Sequence, residues 1–176
     1  MGLFSKKKAK GNGGYSTSAS EFGKTINSKT DSFEELVREF ESLGKEKSIE
    51  LCFQTVKETI NKLNEKQLMA YTMFMFWSVS VDGKLTKEEF IVTKPVFAII
   101  LKDEEIDYSY ARGFVEGISH RDALDYESKI SYLTKDLLSG LDRKTATDVL
   151  LTGVLLSACD GHICEEEKAF LKSVIY

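Results

Sequence analysis

The sequence predicts an all-α fold: a compact bundle of about seven or eight helices, in two pseudo-symmetric halves, preceded by a disordered basic tail. Three observations predict it. Beyond residue 30 the apolar residues recur at helical spacing almost everywhere, no segment shows alternation bounded by hairpin signals, and one Asp-Gly element occurs twice at an offset of 78 residues. A chain of 176 residues with 42% apolar positions suffices for one domain with a core.

Residues 1–30 form the tail. They hold six lysines against one glutamate, so the tail is net +5 and the rest of the chain net −9. The stretch KGNGGYSTSAS offers too little apolar surface to offset the entropy of ordering. Leu3 and Phe4 followed by Lys6, Lys7, Lys8 and Lys10 make a short apolar hook with a basic cluster, suited at most to weak contact with a membrane surface. The myristoylation pattern requires Ser or Thr where Lys6 stands, so a lipid anchor is not expected. The acidic body argues against nucleic acid as a partner, because a phosphate backbone needs clustered Lys and Arg on the fold itself.

The helical domain spans 31–176. Phe33, Leu36, Val37, Phe40 and Leu43 share one face of a first helix, preceded by Ser32-x-x-Glu35 and stopped by Gly44. A second helix runs through Ile49, Cys52, Phe53, Val56, Ile60 and Leu63. The third, from about 64 to 81, is apolar on most sides and should be central, with Tyr71, Phe74, Phe76 and Trp77 as core. Further helices are expected near 86–101, 108–119, 123–139, 143–159 and 164–175. Pro95 should kink the helix at 86–101, where Ile91-Val92 and Phe97 to Leu101 offer the best competing strands. His120 is expected to cap the end of the helix at 108–119.

The repeat carries the functional signal. Leu63-Asn64-Glu65-Lys66 and Leu141-Asp142-Arg143-Lys144 each open a long apolar helix, and each helix ends in D-G-x-[LI]-x-x-x-E, at Asp82 to Glu89 and at Asp160 to Glu167. Gly83 and Gly161 permit a positive φ, Leu85 and Ile163 pin the loop to the core, and Thr86-x-x-Glu89 reads as a capping box. In the second copy Cys164 takes the cap position, where it is a poor cap. The pattern overlays the second half of an EF-hand loop, but Ser78 and Ser80, or Leu156 and Ala158, stand where a calcium loop has its first acidic ligands. Neither loop alone can hold an ion. Two loops facing each other could share one divalent cation through Asp82, Glu89, Asp160 and Glu167; equally, turn and capping chemistry explains all four carboxylates without an ion.

These residues resemble the TerB-like (tellurite-resistance) family, whose two halves carry an [AS]-x-x-DG-x-[IVL]-x-x-x-E type signature. The likeness spans roughly 33–176. It implies a compact all-α fold, a non-enzymatic role in tellurite and wider stress resistance, and partners among other Ter-type stress proteins, including an integral-membrane one. It carries the family's acidic positions onto Asp82, Glu89, Asp160 and Glu167. Pro95, and Cys159 and Cys164 beside the second motif, depart from the pattern.

Two alternatives of other classes stay open. Cys159, His162 and Cys164 form a soft ligand set that could bind zinc or react with an oxyanion. The chain could also be a co-chaperone-like adaptor at the membrane surface. No G-x-S-x-G, P-loop or H-E-x-x-H occurs, so no catalytic residues are expected. Three cysteines make no disulfide framework, no apolar run is long enough to span a bilayer, and the start lacks a secretory signal; a cytoplasmic location is expected, at or near the inner face of the membrane.

Overall fold

A periodic apolar face forms a stable helix only when another element covers it. The computed structural model of the chain describes residues 31–118 and 120–175, with the backbone alone at 31, 32 and 120–124. Within them are eight helices and no strand: α1 Asp31–Leu43, α2 Lys45–Ile60, α3 Glu65–Ser78, α4 Lys87–Leu101, α5 Tyr108–Glu116, α6 His120–Ser139, α7 Arg143–Ser157 and α8 Glu165–Ile175. The tail at 1–30 and the side chain of the expected cap Ser32 lie outside what is described. Among the described residues no helix is long and apolar enough to cross a membrane.

Shifting the first four helices by about 78 residues lands them on the last four. The repeat therefore extends from the loops to the whole domain, as two copies of a four-helix unit. Equivalent residues start the central helices: Asn64 caps α3 by accepting the Gln67 N–H in a reciprocal capping box, and Asp142 caps α7 by accepting from Lys144 and Thr145. The copies are packed crosswise. The largest helix contacts are α2 on α7 and α6 on α3, each joining a helix of one half to the central helix of the other.

The central pair α3 and α7 is buried along most of its length. They approach closely because Gly153 carries no side chain; a Cβ there would lie 2.4 Å from Cζ of Phe74. Tyr71 and Thr152 share a 2.6 Å hydroxyl contact across the same seam. α4 is helical straight through Pro95, so the competing strands do not form. Pro95 sits on the solvent side, where a missing N–H bond costs least. His120 opens α6 instead of closing the preceding helix, which already ends at Glu116. A cap at a helix C-terminus is thus not its place in the chain.

Candidate functional site: two facing acidic loops

The two central helices end side by side. Ser157 at the end of α7 donates to the carbonyl of Ser78 at the end of α3, 3.3 Å away, which sets the two Asp-Gly loops at one end of the molecule. The loops match bond for bond. Gly83 and Gly161 have φ of 74° and 95°, and each donates back, to Ser80 and to Ala158, at 3.0 Å. Oδ1 of Asp82 accepts from the Lys84 amide at 2.8 Å, and Oδ1 of Asp160 from the His162 amide at 2.9 Å. Leu85 and Ile163 are buried beneath them.

Each loop then starts a helix whose third residue is the motif glutamate. Oε2 of Glu89 accepts from both the amide and the hydroxyl of Thr86 at 2.7 Å, and the Thr86 hydroxyl accepts from the Glu89 amide. In the second copy Oε2 of Glu167 accepts from the Cys164 amide at 2.8 Å. A thiol stands where the first copy has a hydroxyl, while the glutamate half of the box is the same in both copies. Turn and cap chemistry accounts for a partner of each of the four carboxylates.

It does not balance their charge. Glu89 and Glu167 are only 5% and 6% exposed. Burial, reinforced by the charges of Asp160 and Asp82, pushes the Glu89 carboxyl up to about 7. Burial, with Glu89 and Asp82 adding to it, pushes Glu167 up to about 8. Asp82 is raised as well, first by burial, with Glu166 and Asp160 contributing. The four motif carboxylates thus lie within electrostatic reach of one another across the two loops. Each of the two glutamates lies in the first turn of its own helix, whose positive end offsets part of the cost of its charge. As arranged, no three His, Cys, Asp or Glu side chains among the described residues converge as a ligand set for a metal ion.

The elbow between α1 and α2 clasps both loops. Oε1 of Glu41 accepts the Ile163 amide at 2.9 Å and lies 3.0 Å from Nδ1 of His162. Gly44, at φ 78°, turns the chain so that Lys45 lies along Gly161, and Nζ of Lys45 pairs with Glu88 at 3.4 Å. Sequence reasoning missed Glu41 and Lys45, since nothing local marks a contact 122 residues away.

Cys159, His162 and Cys164 do not come together. The Cys159 thiol is fully buried, donates to the Leu155 carbonyl and neighbours Cys52, whose own thiol is raised by that contact and by burial. His162 is largely exposed on Glu41, and burial pushes the Cys164 thiol up to about 12, far from a thiolate. No family model matches the chain, and neither does any curated protein or solved structure.

Proposed function

We propose that this chain is a TerB-like stress-response domain that acts by binding and not by catalysis, with the paired acidic loops as its working end. The observation that carries the proposal is the burial of Glu89 and Glu167 beside Asp82 and Asp160, where burial first and neighbouring carboxylates second hold both glutamates above the usual carboxylate range. A buried ionised carboxylate costs a fold stability unless a proton or a cation neutralises it. The residues fit a hard divalent cation in charge and in donor type, all four being carboxylates. Asp82, Glu89, Asp160 and Glu167 would hold it, and the ion would supply positive charge and a template for a partner's oxygens. Glu41 and Lys45 would set the spacing of the loops.

On this reading the partners are other Ter-type stress proteins, an integral-membrane one among them. The domain works in the cytoplasm at the inner face of the membrane, with the basic tail as a weak surface contact.

Thermal melts of the full chain at pH 8 with calcium, magnesium, manganese or zinc test the cation. An ion that binds only the folded state raises the melting temperature, and Asp82→Asn with Asp160→Asn abolishes the rise. No rise with any of the four ions removes the cation and leaves the acidic loops as a protein-binding face.

A further inference from the structure

The duplicated unit is filled differently in its two copies. In the first, α1 buries Phe33, Leu36, Val37 and Phe40, none more than 5% exposed. The offset of 78 puts Ala111, Phe114, Val115 and Ile118 in their places, while Gly113 and Gly117 replace Glu35 and Glu39. Ala111 and Val115 are buried, yet Phe114 is 38% exposed. Beside this copy an open-mouthed cavity of about 530 Å3 lies between α3, α4, α5 and α6, walled by Met73, Phe76, Ile100, Phe114 and Tyr126.

The wall has a definite chemistry. The described lining is apolar apart from the Tyr126 hydroxyl, a surface that favours an uncharged occupant over a charged one. Rings stand on several sides, with the Phe76 and Phe114 centroids 6.1 Å apart. Gly113 lies inside a helix, where only proline is less favourable than glycine. Neither a positive φ nor a close neighbour demands it, for a Cβ there would meet nothing within 4 Å. Its effect is to keep the space open. Behind the wall the only tryptophan, Trp77, is buried with its indole N–H lacking an acceptor, its ring 6.2 Å from that of Tyr126.

We propose that this cavity is a binding site for a compact, uncharged aromatic molecule. Its volume is within the range of about 300–1,000 Å3 common to small-molecule pockets. The site is separate from the acidic loops and does not depend on what they bind.

Titration of the full chain with N-phenyl-1-naphthylamine, an uncharged aromatic probe, tests it. The expected result is saturable one-to-one uptake, with probe emission rising as Trp77 emission falls by energy transfer. Gly113→Leu fills the empty space while favouring the helix, and weakens uptake by about tenfold or more. Phe114→Ala, at the partly exposed rim, weakens uptake by a second route should the leucine variant lose its helical circular dichroism. Met69→Ala, in a separate groove of about 450 Å3 between α3 and α6, leaves uptake unchanged. Absence of saturable uptake, or uptake lowered by Met69→Ala and by neither cavity variant, overturns the assignment.

Discussion

Glu89 and Glu167 serve two roles that pull in opposite directions. As the third residue of a helix each is well placed to cap the chain, and as a buried carboxylate each repels its neighbours. The consequence is a pH dependence of unusual sign. Both folded values, about 7 and about 8, lie above the ordinary 4.5, so the folded state binds more protons than the unfolded chain between these limits. The associated stability is fully present below about 4.5 and is lost as pH rises through 7 to 8. In metal-free buffer the chain is therefore expected to lose on the order of 3 kcal/mol between pH 5 and pH 9 from these two groups. Each tenfold change in proton affinity is worth about 1.4 kcal/mol, and relaxation of the buried carboxylates toward water returns part of the total. Glu89→Gln and Glu167→Gln keep the caps and flatten the profile; denaturant midpoints across that range measure it. A wild-type profile that climbs toward pH 9 would contradict the burial argument. Cys164→Ser restores a hydroxyl at the second cap and is expected to add about 0.5–1 kcal/mol, read from the same midpoints.

At the scale of the helix, the close approach of α3 and α7 hangs on one missing side chain. Gly153→Ala drives a methyl group into Phe74, which is itself held against Phe170, and is expected to cost about 1–3 kcal/mol by urea unfolding. Phe74→Leu should recover part of the loss; a Gly153→Ala protein as stable as the parent would mean that the seam relaxes freely. The helices themselves were legible in the sequence because capping and periodicity are local. Asn64, Thr86 and Asp142 mark starts, Gly44 and the Asp-Gly pairs mark ends, and α4 stays helical because Pro95 faces solvent, which a sequence does not announce. The placement of His120 failed because Gly117 caps α5 one turn earlier than the apolar pattern suggests.

Over the whole molecule, legibility falls with distance along the chain. The repeat could be read at the loops, where turn chemistry fixes residue identity, but not in α1 and α5 or α2 and α6. There burial alone constrains the side chains, and Phe33 corresponds to Ala111 and Ser48 to Tyr126. The candidate carboxylates were found from the motif, whereas the clasp by Glu41 and Lys45 and the meeting of Cys52 with Cys159 depend on tertiary placement. The stress-response reading is checked in the organism: deleting the encoding gene should lower tellurite tolerance, and the Asp82→Asn, Asp160→Asn double variant should fail to restore it where the wild type does. Equal tolerance without the gene would remove that role.

Because α2 lies on α7 and α6 on α3, neither four-helix unit encloses a core of its own. Severing the chain between Lys102 and Asp107 should thus leave two fragments that are poorly folded apart and structured together. Mixed in equal amounts they should recover the helical signal of the intact domain, each half closing the core that the other leaves open.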